Sequence, residues 1–377
     1  MRARTVVAVA VALVLAAGCG SAAAPAPSGS APSVSGATGG SASAGPSGSG
    51  VRVAGQVADG LNSPWGVAVL PGGDLLVASR NTGRITRVAA ADGAKTDLGA
   101  VPGVVAGGEG GLLGLALSPD YATDHQVYAY LTAADDNRIV RFTYDGQRPP
   151  GPQLGTPTTV LTGIPKGSNH DGGRIAFGPD GMLYAGTGES GRPDLAQDPA
   201  SLGGKILRMT PDGAPAPGNP FPGSVVYSLG HRNVQGLAWD AQGRLWASEF
   251  GQNTWDELNL ITPGANYGWP VVEGQAHRAG YTDPLVQWHT DEASPSGIAY
   301  ADGAIWMAAL RGTRLWRIPV DGDHVTGAPE AFLTDAYGRL RTVVAEGNGT
   351  LLVSTSNTDG RGEVRAGDDR ILRVAVP

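Results

Sequence analysis

One short pattern returns six times along the chain, and it restricts the possible fold more than any other feature of the sequence. Each copy has an apolar run, then a turn rich in Gly, Asp or Pro, then a second apolar run. Two short apolar runs around a glycine-containing turn are typical of a β-hairpin. The copies begin at Gly66, Gly114, Arg174, Gly236, Gly297 and Val343.

A second unit follows each hairpin, and in it apolar residues alternate with charged or polar ones. Such alternation predicts a further strand with one exposed face. Six units of about four strands each predict an all-β fold, a six-bladed β-propeller of four-stranded antiparallel blades. The absence of any long helix-forming segment in the sequence argues against a doubly wound α/β fold. The six copies of this unit occupy residues 84–88, 138–142, 205–209, 257–261, 314–318 and 370–374.

The beginning of the chain predicts the compartment. Arg2 and Arg4 give a basic start, and residues 6–17 are apolar. A run of about a dozen residues is too short to span a membrane, which takes roughly 20, but it suits a signal-peptide core. Residues 15–19 look like a bacterial lipoprotein cleavage box, and Cys19 is the only cysteine in the chain. We therefore expect a leader over residues 1–19 and a lipid on Cys19, with an ordinary secretory signal as the alternative.

Composition divides the rest of the chain. Residues 20–50 are nearly all Ser, Ala, Gly and Pro, which predicts a disordered tether between the lipid and a propeller domain over residues 51–377. We expect an exported protein that the lipid holds at the outer face of the membrane, in the cell envelope. The formal net charge of −7 argues against a nucleic-acid partner, which would require a basic face.

Two clusters of polar residues could carry chemistry. The first contains His170 directly before a predicted strand and among glycines, which suits a general base near neutral pH, although such a histidine can also be a turn residue. The second places Arg232 beside Asn233, and together they offer a rigid donor fork and an amide. Such a pair can hold a carboxylate or quinone oxygen, or it can simply connect loops.

A third cluster is acidic and rich in amides and glycines, over residues 249–259 and 264–270. Its carbonyl and carboxylate oxygens could bind a hard cation such as Ca²⁺. The cluster lacks the ligand spacing of an EF-hand loop, so the pattern alone is a weak indication of a metal site.

Taken together and in this order, the motifs resemble those of the soluble glucose/sorbosone dehydrogenases. The similarity extends over roughly residues 55–375 and includes several separate motifs. It implies a six-bladed propeller that uses pyrroloquinoline quinone (PQQ) together with calcium. The motifs are Glu109 to Gly114, His170-x-Gly-Gly-Arg174, residues 177–181, residues 204–208, His231-Arg-Asn-x-Gln-Gly-Leu237, residues 256–259, residues 266–270 and Gly338 to Arg341.

The resemblance implies catalytic roles for three residues. His170 would take the proton from the anomeric hydroxyl of a sugar while a hydride passes to the quinone. Glu189 would orient that histidine. Arg232 would polarise the quinone carbonyl that receives charge, and the neighbouring Asn233 would also bind the cofactor.

The resemblance also implies a set of ligand-binding residues. Arg339 and Arg341 would pair with carboxylates of the cofactor, and the backbone carbonyls of Gly251 and Gln252 would hold the calcium ion. The residues expected around the substrate are Glu109, Asp171 and Gln235.

Four positions depart from the family pattern. Arg311 stands where the family has a lysine that contacts PQQ, so the charge is kept while its geometry changes. Thr342 replaces an acid that follows the second arginine of the family pair. Phe250 stands where histidine is frequent, and Gln252 stands where proline is frequent.

The implied activity is oxidation of an aldose at its anomeric carbon to the lactone, with electrons passing to an external acceptor. No Gly-x-Gly-x-x-Gly motif opens a βαβ unit, so the sequence does not support a nicotinamide site. Two alternatives remain open at this point. One is a propeller of the same descent that has lost its cofactor and binds glycans or proteins at the cell envelope. The other is a calcium-dependent hydrolase of the lactonase type.

Overall fold

The computed structural model describes residues 50–149 and 153–377, and these residues form six antiparallel β-sheets. The predicted leader, Cys19 and the tether lie outside the described residues, apart from Gly50. Export, lipidation and the domain boundaries of that segment therefore stay predictions. Within the described part of the chain, no helix has both the length and the apolar character that crossing a bilayer requires.

The strands are short, as expected for a propeller. In chain order they are β1 (Arg52–Ala58), β2 (Pro64–Val69), β3 (Leu75–Ser79), β4 (Arg84–Val88), β5 (Lys95–Ala100), β6 (Leu112–Leu117), β7 (Gln126–Thr132), β8 (Asn137–Thr143), β9 (Thr158–Ile164), β10 (Ile175–Phe177), β11 (Leu183–Gly186), β12 (Lys205–Met209), β13 (Val226–Leu229), β14 (Val234–Trp239), β15 (Leu245–Glu249), β16 (Trp255–Leu260), β17 (Val286–His289), β18 (Pro295–Ala301), β19 (Ala304–Ala309), β20 (Arg314–Asp321), β21 (His324–Val325), β22 (Glu330–Phe332), β23 (Leu340–Gly347), β24 (Thr350–Thr355) and β25 (Ile371–Ala375). A single helical turn, α1 (Tyr121–Asp124), precedes β7, and a short 3₁₀ turn covers Pro193–Ala196.

The sheets follow the predicted repeat. The first four blades are β2 to β5, β6 to β9, β10 to β13 and β14 to β17, and the fifth blade contains β18 to β22. The sixth blade contains β23, β24, β25 and β1. The all-β class, the six blades and the antiparallel pairing predicted from the sequence are confirmed.

The N-terminal strand closes the ring, which the repeat pattern does not anticipate. Strand β1 pairs antiparallel with the C-terminal strand β25, so that Arg52 lies opposite Ala375 and Gln56 lies opposite Leu372. Because the outermost strand of the last blade comes from the opposite end of the chain, the two ends are joined by backbone hydrogen bonds. This pairing completes the sixth blade and connects the first described strand to the last one.

The glycine that opens several repeats has a packing role. A Cβ atom on Gly66 would lie 2.4 Å from the carbonyl oxygen of Leu113, and one on Gly114 would lie 2.3 Å from the carbonyl oxygen of Gly173. Each clash is with backbone of the next blade, at the innermost strand. Glycine at these positions lets the innermost strands of adjacent blades approach closely around the axis.

Large aromatic and aliphatic side chains fill the spaces between blades. Trp65, Trp246 and Trp306 are each no more than 1 % exposed. Burial of a large apolar side chain contributes roughly 2 to 3 kcal/mol. These layers between sheets hold the blades in place, and the innermost strands position the loops described next.

Candidate active site

The loops that carry the predicted site residues emerge at one face of the ring. In a four-stranded antiparallel blade, the loop that enters the first strand lies at the same end as the loop that joins the second and third strands. His170 and Arg232 are on loops that enter the innermost strands β10 and β14. Glu189 and Gly251 are on loops that join second and third strands. The topology therefore gathers residues from separate blades at one face.

A cavity of about 350 Å³ opens at this face. Its wall carries five arginines and two carboxylates, together with the aromatic rings of Trp65 and Phe250. Such an excess of positive charge suits an anionic ligand. The lining residues are Trp65, Arg80, Glu109, Gln235, Phe250, Ser294, Leu310, Arg311, Arg339, Arg341, Asp359 and Arg361. Five of them, Glu109, Gln235, Arg311, Arg339 and Arg341, are among those that the sequence predicts for the cofactor or the substrate.

Arg339 and Arg341 share one carboxylate. Their Nη2 atoms lie 3.0 and 3.2 Å from Oδ2 of Asp359. Burial raises the pKa of Asp359, but the two arginines outweigh burial and bring its pKa below the ordinary value. Burial lowers the pKa of Arg341 to about 10, and Asp359 opposes this shift. One carboxylate between two guanidinium groups leaves a surplus positive charge at the cavity wall.

The guanidinium of Arg311 is exposed in the cavity. It lies on the loop between β19 and β20 and, among residues 50–149 and 153–377, it has neither a hydrogen-bond nor an ion-pair partner. Arg361 lines the same cavity and forms an ion pair of 2.9 Å with the predicted substrate residue Glu109. A guanidinium without a protein partner offers a planar set of donors to a carboxylate ligand.

His170 lies beside this cavity with its ring held on both sides. Its Nδ1 atom forms a short contact with Oε1 of the buried Glu189. On the other side, Nη2 of Arg232 lies 2.8 Å and Nδ2 of Asn169 lies 3.1 Å from Nε2. Because arginine and the amide nitrogen can only donate, Nε2 accepts, and the ring proton is on Nδ1 and directed at Glu189. The structure therefore brings His170, Glu189 and Arg232 together, with an unprotonated Nε2 that accepts hydrogen bonds from Arg232 and Asn169.

The backbone around His170 adopts an uncommon conformation. His170 has φ of 56°, in the left-handed region that non-glycine residues rarely occupy. A Cβ atom on Gly188 would lie 1.9 Å from the carbonyl oxygen of His170. Its main chain is thus packed directly against the loop that carries Glu189, which fixes the distance between the two side chains. Uncommon backbone geometry of this kind is frequent at functional sites.

The buried side chain of Glu249 holds the backbone of Arg232. Oε1 of Glu249 accepts a hydrogen bond from the backbone N–H of Arg232, and Oε2 lies 2.7 Å from Nδ1 of the fully buried His231. Nη1 of Arg232 donates to the carbonyl oxygen of Gly251. Among residues 50–149 and 153–377, its buried Nε has no hydrogen-bond partner, so one donor of the guanidinium is unpaired.

Two predicted ligand-binding residues have side chains that point away from the cavity wall. Asn233 is 2 % exposed, and its Oδ1 accepts a hydrogen bond of 3.0 Å from the backbone N–H of Gly172. Asp171 is 1 % exposed, and its Oδ1 lies 2.9 Å from Nδ2 of Asn137. Both side chains position the loop that carries His170. The binding roles predicted for them remain predictions that the geometry does not support directly.

Substitution of Asp171 by asparagine is expected to change how stability depends on pH. Burial raises the pKa of Asp171 to about 6, against about 3.9 in an unfolded chain. The folded state therefore binds this proton more tightly, and the free energy of unfolding falls as pH rises from about 4 to 6. A shift of about two pKa units corresponds to about 3 kcal/mol. Because asparagine does not titrate, the free energy of unfolding of Asp171→Asn relative to the unmodified chain should be about 3 kcal/mol higher at pH 7 than at pH 4. Denaturant unfolding at a series of pH values measures this difference.

The exposed Asp92 provides the matched control for this experiment, because Asp92→Asn removes a carboxylate of the same kind from the surface. It should leave the pH dependence as it is in the unmodified chain. Equal slopes for Asp171→Asn and the unmodified chain between pH 4 and 6 would contradict a raised pKa at Asp171.

The predicted calcium ligands lie in a loop whose backbone polar atoms already form hydrogen bonds within the protein. The carbonyl oxygen of Gly251 accepts from Arg232, and the backbone N–H of Gln252 donates to Oε1 of Glu273 at 2.7 Å. In the parts of the chain that the structure describes, no group of three or more His, Cys, Asp or Glu residues is arranged to hold a metal ion. The metal assignment to Gly251 and Gln252 stays a prediction.

Several residues of the cavity were not predicted from the sequence. Asp359, Arg80 and Arg361 lie on loops without a recognisable motif, so only the structure shows that they face the cavity. Asn169 has no role in the sequence prediction although it adjoins His170, and its contact with Nε2 follows from the fold of that loop.

Comparison with known proteins agrees with this arrangement. Residues 61–372 match the family model described as glucose/sorbosone dehydrogenase. The chain is 31 % identical over 334 residues to the aldose sugar dehydrogenase YliI of Escherichia coli, covering 80 % of this chain and 89 % of that protein. It is 34 % identical over 259 residues to the quinoprotein glucose dehydrogenase B of Acinetobacter calcoaceticus, covering 60 % of this chain and 54 % of that protein.

A solved structure gives a similar result. The PQQ-bound form of an aldose sugar dehydrogenase from Streptomyces coelicolor superposes with a TM-score of 0.87 at 67 % sequence identity. The match covers 89 % of this chain and all of that chain. The motifs, the six-bladed fold and the family match lead to one conclusion: the chain belongs to the glucose/sorbosone dehydrogenase family and is a sugar dehydrogenase.

Proposed function

We propose that this protein oxidises aldose sugars at the anomeric carbon with PQQ as the bound oxidant, giving the lactone and passing electrons to an external acceptor. The observation that carries the proposal is the pairing of a proton-accepting histidine with an arginine-rich cavity. His170 presents the lone pair of Nε2 next to Arg232, beside a wall with five arginines and two carboxylates. Relatives named as quinoprotein or aldose sugar dehydrogenases support it.

The residues of the cavity fit PQQ, which is a planar, aromatic tricarboxylate with an ortho-quinone. In the described part of the chain, Arg311 has no protein partner and neither does the buried Nε of Arg232, so these donors remain for ligand oxygens. Arg339 and Arg341 together hold only one carboxylate, that of Asp359. Phe250 lines the same cavity and can pack against an aromatic ligand. Arg311, Arg339 and Arg341 would hold the carboxylates, and Arg232 would hold a quinone oxygen.

When bound, PQQ supplies an electrophilic quinone carbon that accepts a hydride. The chain itself supplies the groups that move and hold the proton. Nε2 of His170 accepts the proton of the anomeric hydroxyl, and Glu189 stabilises the imidazolium that results through its contact with Nδ1. Arg232 donates to oxygen atoms that gain negative charge, which typically lowers a barrier by a few kcal/mol.

We propose that calcium joins the site only together with the cofactor. Calcium prefers six to eight oxygen ligands, and the chain offers the carbonyl oxygens of Gly251 and Gln252, the first of which already accepts from Arg232. These residues do not form a calcium site by themselves, so cofactor oxygens would have to complete the coordination. A calcium requirement for turnover would support this assignment.

Reconstitution tests the proposed function. Residues 50–377, which contain the described propeller, are loaded with PQQ and Ca²⁺, and dye reduction is followed across a panel of aldoses. Sugar-dependent reduction that requires PQQ is the expected result, and a chelated sample reports on calcium. Failure of the folded protein to bind PQQ would contradict the proposal.

We also propose that the protein is exported and anchored by a lipid on Cys19, as the apolar run and the cleavage box indicate. Cys19→Ala in the full chain is expected to move most of the protein from the membrane fraction to the soluble fraction, because a thiol is the lipid acceptor. Fractionation of cells with an antibody against the propeller measures it. Cys19→Ser, which also lacks the thiol, should behave alike, and unchanged membrane partitioning of both would contradict the assignment.

A further inference from the structure

Another buried arginine, Arg174, lies behind the cavity wall. Arg174 directly precedes β10 and is 9 % exposed. It does not line the cavity described above, but together with Thr342 it lines a separate cavity of about 330 Å³ among the innermost strands of the six blades. Its Nε donates to the carbonyl oxygen of Gln235 at 2.8 Å, and its Nη2 lies 3.2 Å from Oγ1 of Thr342. Its guanidinium carbon lies 4.3 Å from the centre of the Trp65 ring. Innermost strands from four blades thus meet around this side chain.

Arg174 has no acidic partner. Both of its hydrogen-bond acceptors are neutral, and it takes part in none of the ion pairs found among residues 50–149 and 153–377. Buried arginine is normally paired with a carboxylate, because an isolated charge is costly to remove from water. Burial, and to a lesser extent Arg341, lowers the pKa of Arg174 to about 9, so the group still carries its charge at neutral pH.

The charge of Arg174 is close enough to act on a ligand in the cavity. Arg341, which lines the cavity, lies with its guanidinium carbon 5.8 Å from the same Trp65 ring, so the two guanidinium groups are within about 10 Å of each other. A ligand carboxylate paired with Arg341 would lie about 10 to 14 Å from Arg174, and at an effective dielectric constant of about 20 a charge at that range changes the affinity about tenfold. Its two neighbours Gln235 and Thr342 provide no negative charge to cancel this field.

We propose that Arg174 is a positioning residue that strengthens the binding of a polycarboxylate in the cavity through its uncompensated charge, and that the neutral side chain of Thr342 keeps this charge available. The inference extends the proposed function, because PQQ is the polycarboxylate in question. It implies that the unpaired buried charge lowers the stability of the ligand-free protein. The same charge then makes binding of the anionic ligand more favourable.

Substitutions at Thr342 separate charge from shape. Oγ1 of Thr342 accepts from Arg174 and donates to the carbonyl oxygen of Trp65 at 2.5 Å. Asparagine can keep both hydrogen bonds. Aspartate adds a negative charge next to Arg174 at nearly the same size, but its carboxylate cannot donate to the carbonyl oxygen of Trp65. The matched pair is therefore Thr342→Asp and Thr342→Asn, and a second pair is Arg174→Met and Arg174→Lys, which differ in charge at similar length.

The experiment measures the dissociation constants of PQQ and of citrate, a tricarboxylate without a quinone, together with the melting temperature of the empty protein. Thr342→Asp is expected to weaken the binding of both anions about tenfold relative to Thr342→Asn, and to melt at a higher temperature than Thr342→Asn. A lower anion affinity together with a higher melting temperature distinguishes the charge effect from a structural defect, because a structural defect would lower both quantities. Arg174→Met should bind both anions about tenfold more weakly than Arg174→Lys.

Equal affinities within the Thr342 pair would overturn the inference, and so would equal affinities within the Arg174 pair. If Thr342→Asp does not fold, the Arg174 pair decides. A folded unmodified protein that binds citrate but not PQQ, with citrate affinity responding to Thr342→Asp, would support the role of Arg174 and contradict the proposed cofactor. Failure of the folded protein to bind either anion would overturn the inference.

Discussion

Replacing His170 by glutamine is expected to lower kcat about 10³-fold while leaving the affinity for PQQ within about threefold. Loss of a general base typically costs 10²- to 10⁴-fold, and glutamine cannot take up a proton at the position of Nε2. The cofactor-facing charges lie on Arg311, Arg339 and Arg341, so cofactor binding should survive the change. Steady-state kinetics at saturating PQQ, together with a PQQ titration, measure the two quantities separately.

The control for this variant is His324→Gln, which changes a histidine whose side chain is 80 % exposed on the outer strand β21. It should retain the activity of the unmodified chain. A His170→Gln protein that binds PQQ and keeps kcat within tenfold would exclude His170 as the base.

Replacing Arg232 by methionine is expected to lower kcat by about 10²- to 10³-fold, equivalent to about 3 to 4 kcal/mol of barrier. Methionine keeps part of the packing against the Trp269 ring, whose centre lies 5.4 Å from the guanidinium carbon, but it removes every donor. The contact of 2.8 Å to Nε2 of His170 is lost as well, so the base loses a group that orients it. Kinetics at saturating cofactor isolate the effect on turnover.

Arg232→Lys is the comparison for that variant. Lysine keeps the charge but has a single donor group in place of the planar fork, so it cannot contact Gly251 and His170 at once as arginine does. We expect an intermediate loss of kcat. If Arg232→Met and the unmodified protein have the same kcat, Arg232 does not stabilise charge in the transition state.

The blades could be predicted from the sequence because each hairpin is determined by residues close together in the chain. Alternating apolar residues and glycine turns set each hairpin, and a glycine at the position of Gly66 opens four of the six repeats, where it contacts the next blade. The closing strand β1 could not be predicted in this way. Its pattern of exposed and half-buried residues is weak, and only its pairing with β25, more than 300 positions later, makes it a strand of the sixth blade.

The site was predictable where a motif fixes geometry and not where partners come from distant loops. His170 and Arg232 lie in recognisable motifs, the family resemblance adds Glu189, and the three residues meet in space. Asp359 pairs with both Arg339 and Arg341, yet nothing in the sequence around it marks it as their partner.

Neighbours within a motif also point in different directions. Asp171 and Asn233 follow His170 and Arg232 directly, but their side chains are buried and support the loop from behind. A motif in one sequence does not reveal which of its residues faces the ligand. That depends on backbone angles such as the positive φ of His170, which arise from packing against the next loop.

The most direct test of the account is a single turnover without any electron acceptor. The PQQ-loaded protein is mixed anaerobically with excess aldose, and the absorbance of the bound quinone is followed by stopped flow. The account predicts rapid reduction of the bound cofactor with one equivalent of lactone formed, and a rate about 10³-fold lower in His170→Gln. Bound PQQ that stays oxidised with every aldose tested would contradict the assignment of this protein as a PQQ-dependent aldose dehydrogenase.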